Sequence, residues 1–171
     1  MAVDKTDGYI SGLDEFWFNG KKVGYVSEDG ISFAGDALSS VQIRAAQARN
    51  AVVKTIISNP GSDKCEFALI ELKKENIQAV FGGTATGGVY SAPRGKYPIE
   101  GRAFIKCFSG HKIDIPKALL SGNLSGNISL AGVLQIKCTM EINLPDDGVS
   151  GPYKIYDPGE VVPDDPSIAE G

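Results

Sequence analysis

The stretch Leu120-Ser121-Gly122-Asn123-Leu124-Ser125-Gly126-Asn127-Ile128-Ser129-Leu130 decides the fold class. Its even positions are apolar or glycine, and its odd positions are small and polar. A period of two is the signature of a strand with one dry and one wet face. Leu120, Leu124 and Ile128 also fit helical spacing, but two Ser-Gly-Asn triplets are poor helix material. After Ala131-Gly132 the alternation resumes: Leu134, Ile136, Cys138, Met140 and Ile142 face one way, and Gln135, Lys137, Thr139 and Glu141 the other. Pro145-Asp146-Asp147-Gly148 stops it.

Working outward, further strands are expected at Glu15-Phe16-Trp17-Phe18, at Ile31-Ser32-Phe33, over 52–57 and 65–72, and in a hairpin formed by 102–108 and 112–115. Asn19-Gly20 between apolar runs is a hairpin signal. Val52-Val53-Lys54-Thr55-Ile56-Ile57 is β-branched except for Lys54, as strands prefer. The Ala-rich residues 45–51 read either as a short helix or as a hairpin tip. The one helix expected runs over 73–81, where Ile77, Val80 and Phe81 share a face and Gly82-Gly83 ends it. A Gly/Thr/Ser/Pro loop covers 82–101. The reading is mainly β, with nine or ten strands and one helix. Short strands spaced by turns need a second layer, so sandwich or barrel-like packing follows.

Three parts are expected: an extended N-terminal arm (1–13), a β-domain (14–156) and an acidic, Pro-rich, flexible tail (157–171). The tail holds Asp157, Glu160, Asp164, Asp165 and Glu170 and no Lys or Arg; setting those five acids apart from the net charge of −4 leaves the rest at +1. That balance lacks the broad basic footprint of a nucleic-acid binder. At 171 residues with 42% hydrophobic and 22% charged residues, the chain is of ordinary globular composition for one domain. No run approaches the ~18 apolar residues of a membrane helix. Met1 to Ile10 has no apolar signal segment, so folding in a cytosol is expected.

Candidate chemistry is sparse. Cys65, Cys107 and Cys138 are far apart, without a C-x-x-C, and read as small buried hydrophobes. His111, the only histidine, leaves no metal-ligand set and no nucleophile–base pair in view. Gly82-Gly83-Thr84-Ala85-Thr86-Gly87-Gly88 follows a helix and lacks the Gly-Lys-Ser/Thr ending of a phosphate loop. No catalytic residue, metal or cofactor is expected. Glu15-Phe16-Trp17-Phe18 reads equally as a docking patch and as a core strand.

The order of motifs carries a resemblance. Val23-Gly24-Tyr25-Val26-Ser27-Glu28-Asp29-Gly30-Ile31-Ser32 resembles the opening motif of major tail tube proteins of long-tailed, siphovirus-like bacteriophages. Gln42-Ile43-Arg44-Ala45-Ala46-Gln47 stands where that family has a short apolar stretch ending in Trp-Gln, with Ala46 replacing the aromatic. Val53-Lys54-Thr55-Ile56-Ile57 is similar to the next strand, with Lys for Arg. Phe67-Ala68-Leu69-Ile70-Glu71-Leu72-Lys73-Lys74-Glu75-Asn76-Ile77 is similar to the run into the helix. The hairpin over 103–116, the strands over 124–140 and Gly151-Pro152-Tyr153-Lys154-Ile155-Tyr156 follow in order. The resemblance covers residues 20–156.

It implies a two-sheet β-sandwich with a flanking helix, whose strands join a ring-wide inner β-barrel on hexamerisation. Rings would stack into a tube in the virion tail, assembled in the host bacterial cytoplasm, with DNA crossing the lumen at ejection. Partners would be other copies of the chain, a tape measure protein, and tail tip or baseplate and terminator proteins; no membrane is implied. Residues 44–50 map onto an inter-ring loop, with Arg44, Gln47, Arg49 and Asn50 as contact candidates. Ser121, Asn123, Ser125, Asn127, Gln135, Lys137, Thr139 and Glu141 are lumen candidates. Small or acidic groups suit passing DNA; Lys137 departs from that, with Glu141 or Asp114 to offset it. The alternatives are a non-catalytic β-sandwich binding or decoration module of a virion and a small β-rich enzyme.

Overall fold

The computed structural model describes residues 8–168. The chain is mainly β, with 47% of residues in strands and 7% in helix. The strands are β1 Leu13–Phe18, β2 Lys21–Val23, β3 Ser32–Ala34, β4 Ser39–Ala45, β5 Ala51–Asn59, β6 Asp63–Leu69, β7 Thr84–Thr86, β8 Val89–Ser91, β9 Ile99–Cys107, β10 Lys112–Ser125, β11 Gln135–Ile142 and β12 Lys154–Tyr156. The helix α1 is Lys74–Phe81.

Eight strands form one antiparallel sheet in the order β2-β1-β9-β10-β11-β6-β3, with β12 also paired to β10. The two sheets expected from sequence are thus leaves of a single sheet. β10 makes the corner. Its register against β9 shifts between Ile115 and Ala118, around Pro116, which has no N–H to give to the ladder. Its first half pairs with β12 and its second half with β11.

The sheet then nearly closes. Just past β2, Ser27 N–H donates to Ala68 O at 2.8 Å and Ile70 N–H to Tyr25 O at 3.0 Å, bridging Val26 to Leu69. The apolar faces of β1, β9, β10, β11 and β6 meet inside this loop of strands, where Phe16, Phe18, Leu69, Ile115, Leu120, Ile136 and Met140 are buried. Glu15-Phe16-Trp17-Phe18 is therefore a core strand, not a docking patch.

Gly24 has a packing reason. A Cβ there would lie 2.3 Å from Asn76 Nδ2 and 2.9 Å from Glu71 Oε2. Asn76 Nδ2 donates to Glu71 O, and the Glu71 carboxylate accepts from Tyr25 N–H and from Lys73. The closing strand and the start of α1 are pinned together through that carboxylate. Lys73 first, and then the Tyr25 N–H, hold its pKa below the usual range.

At the other end of the helix Val80, buried, lies over Gly122. A Cβ on Gly122 would meet Ile136 Cγ2 at 2.9 Å and Val80 Cγ1 at 3.0 Å. The glycines in the alternating stretch thus serve different ends. Gly122 lets the helix approach, while Gly126, at φ +91°, turns the chain out of β10. The strand expected to run on to Leu130 stops at Ser125, and 126–134 is an exposed loop.

The other expected irregular stretches carry more order than composition suggested. Gly87-Gly88 turns a small β7–β8 hairpin inside the 82–101 loop. Residues 1–7 of the expected N-terminal arm and 169–171 of the expected tail lie outside the described residues. Gly12 O accepts from Phe108 N–H, and Ser11 O from Ser109 N–H, tying the end of the arm to the β9–β10 turn.

Candidate assembly surfaces

The β4–β5 hairpin stands apart from the main sheet. Its strands pair from Ser39–Asn59 to Ala45–Ala51, and every residue in them except Ala45 is exposed. Val41, Ile43, Val53, Ile56 and Ile57 lie on its surface, with Val53 56% and Ile57 58% exposed. At its base Asp36 and Ser62 exchange two hydrogen bonds, Ser62 N–H to Asp36 O and Asp36 N–H to Ser62 Oγ. At its tip a 3₁₀ turn, Ala46–Ala48, precedes Arg49 and Asn50, both left-handed at φ 53° and 62°. The two readings of residues 45–51, helix or hairpin tip, are both present in this turn. Nine residues at about 3.4 Å each make β5 roughly 30 Å long.

The four inter-ring candidates sit at this tip. Gln47, Arg49 and Asn50 are exposed. Arg44 braces the turn by donating to Asn50 O and Gln42 Oε1, each at 3.1 Å. The hairpin carries Arg44, Arg49 and Lys54 and no acid.

The lumen candidates fall into two groups. Ser121, Asn123 and Ser125 lie opposite Thr139, Lys137 and Gln135 in the β10–β11 ladder, and Glu141 lies opposite Leu119. These seven share one exposed or half-buried face. Asn127 does not belong to it, because the chain has already left the strand at Gly126. Across the next ladder Thr139 opposes Glu66 and Glu141 opposes Lys64. Lys64 and Glu66 pair at 3.2 Å, so charge on this face is mixed. Asp114 is no counterweight to Lys137. It is buried and takes a 2.8 Å bond from Arg102 Nε on the other leaf.

That Arg102 organises a contact that composition did not foretell. Arg102 Nη2 donates to Pro163 O at 3.0 Å, Nη1 to Asp164 O at 2.5 Å, and the guanidinium lies 5.9 Å from the Phe104 ring centroid. Val162 is buried against Trp17 and Phe104, with Tyr156 beside them. Asp165 pairs with Lys112 at 3.2 Å. Burial pushes the Asp165 carboxyl up, but hydrogen bonds from Ser167 and Lys112 outweigh it and hold the pKa below its usual value. Within the tail expected to be flexible, residues 162–165 thus contact the β-domain. The tail's Pro and Asp residues read as solvated, while Val162 packs on β1 and β9 and Asp165 pairs with Lys112 on β10.

Burial raises the pKa of all three thiols, to about 12 for Cys65 and Cys138. They are protonated at neutral pH and poor nucleophiles. His111 is buried, with Nδ1 2.9 Å from Ser109 Oγ. Among the described residues no cluster of three or more His, Cys, Asp or Glu is placed to hold a metal ion, and no helix is long and apolar enough to cross a membrane.

Compared with protein-family models and with curated proteins, the chain matches none.

Proposed function

We propose that the chain is a structural subunit that self-assembles into stacked hexameric rings, forming a bacteriophage tail tube whose lumen conducts DNA. The observation that carries this reading is the β4–β5 arm. A lone two-stranded hairpin is marginal in water, and this one is about 30 Å long with β-branched side chains on show. Such a surface calls for a partner. An arm that reaches a different surface on a like copy makes a head-to-tail contact. Such contacts generate rings or open stacks according to the rotation between copies. The arm also holds the residues that the resemblance assigns to ring stacking.

The lumen would be lined by the wet face of β10 and β11: Ser121, Asn123, Ser125, Gln135, Lys137, Thr139 and Glu141. Short neutral groups and mixed charge leave few fixed cations for phosphates to grip, which suits transit without sequence-specific binding. Before DNA passage a tape measure protein would occupy the channel, and tip or baseplate and terminator proteins would close its ends. Residence in a virion tail follows from this role.

Electron microscopy of the purified chain over a concentration series tests the reading. The expected result is rings or tubes with an open channel. Compact monomers at every concentration, with a nucleating tail-tip complex added, would overturn it.

A further inference from the structure

A groove of ≈ 910 Å³ opens at the base of the arm. Its floor is the end of the barrel core, with Ile113 and Ile142. Its walls are Phe33 on β3, 58% exposed, and Ile155 on β12, 50% exposed. Among the described residues β3 pairs only with β6, and β12 only with β10, so each has one strand edge unpaired within them. The rim carries Glu28, Asp29, Asp36 and Asp63 against a single base, Lys64. The groove is thus apolar below, acidic above and bordered by unpaired backbone.

The arm has the complementary character. It presents valine and isoleucine side chains with Arg44, Arg49 and Lys54, and no acid occurs between Asp36 and Asp63. The arm rises from the groove's own rim, where Asp36, Ala37 and Ser62 line the opening. Its strands remain exposed, so it does not fill the groove beside it. A second copy is the occupant that matches in charge, apolar character and backbone edge.

We propose that the β4–β5 arm of one copy seats in the groove between β3 and β12 of the next, Arg49 and Lys54 facing the Asp29 and Asp63 rim. This rests on the assembly reading above and supplies that arm with its receptor. Apolar side chains enter over Ile113 and Ile142, and an open strand edge adds main-chain hydrogen bonds. The charges set register and direction. Because arm and groove are different surfaces, the contact repeats head to tail.

The test uses two full-length variants, Arg49→Glu/Lys54→Glu in the arm and Asp29→Lys/Asp63→Lys in the groove, with folding checked by near-ultraviolet circular dichroism. Polymer onset is read by sedimentation and electron microscopy. Each variant alone is expected to need at least about tenfold more protein than wild type. Their equimolar mixture restores both charge pairings and is expected to polymerise near the wild-type concentration. A folded groove variant that polymerises like wild type overturns the proposed receptor and leaves the tube reading standing. A mixture without rescue also overturns it. Restored complexes that are discrete oligomers, never tubes, support the arm–groove contact and overturn the tube. A wild-type chain that stays monomeric up to about 1 mM with a nucleating tail-tip complex added overturns both.

Discussion

The Phe16 and Phe67 rings meet edge to face, with centroids 4.9 Å apart and planes inclined at 62°. Phe16 is on β1 and Phe67 on β6, and three strands lie between them in the sheet. In a flat sheet at about 4.8 Å per strand they would be roughly 19 Å apart. Their contact therefore measures how far the sheet has curled, and it spans the interior that makes this β-domain a barrel-like body. Phe67→Ala removes one side of that contact and leaves a cavity. A loss of about 3–5 kcal/mol is expected, read as a lower urea midpoint at unchanged slope.

Gly122→Val tests the approach of the helix. The added side chain meets Val80 and Ile136, both β-branched and unable to swing aside, with Lys137 O 3.3 Å from the new Cβ. Overpacking of this kind costs about 1–3 kcal/mol. For a domain of this size each kcal/mol lowers Tm by about 2–4 °C. An unchanged Tm would mean that α1 does not pack tightly on β10.

The docked C-terminal segment has its own reporter, because Trp17 is the only tryptophan and lies against Val162. The folded-state pKa of Asp165 is depressed, so its contribution is present above the unfolded value of about 3.9 and is lost as pH falls through the folded value. Lowering the pH below about 4 is expected to free the segment and shift Trp17 emission to the red before the barrel unfolds. Arg102→Ala, which removes the donors to Pro163 O and Asp164 O, is expected to give that shift at neutral pH. Emission that moves only with global unfolding would contradict the docking.

Lys137→Glu separates lumen from exterior on the β10–β11 face. If the face lines a channel, tails of normal length should assemble, and DNA should leave at a changed rate, because six like charges around a lumen act on every passing phosphate. Normal tails with unaltered ejection kinetics would place that face elsewhere.

Local patterns in the sequence were enough to find most strands, the helix and the polar hairpin face. The wet and dry sides of β10 and β11 follow from strict alternation, and Asn19-Gly20, with both residues at positive φ, makes the expected turn. The errors lie where distant residues decide. Nothing local separates Gly126, which ends β10, from Gly122, which continues it; the difference is Val80 on the helix. The expected hairpin strand 112–115 and the alternating strand from Leu120 are one strand, β10, which passes through Pro116 with a register shift. Val162 sits in a Pro- and Asp-rich context that reads as solvated, and Trp17 and Phe104, with Arg102 and Lys112 holding residues 163–165, all remote in sequence, give the segment a place. The tip candidates came from the resemblance; the groove had no local signal, because it gathers residues from both ends of the chain.

The arm is the centre of the account, and removing it is the most direct test. Replacing residues 39–59 by a short Gly-Ser link leaves the barrel's strands untouched, since β4 and β5 belong to a separate sheet. Sedimentation velocity of this variant beside the full chain, at concentrations where the full chain polymerises, is the measurement to make. A folded, monomeric variant beside polymeric full-length protein is the expected result. Equal polymerisation with and without the arm would contradict the account.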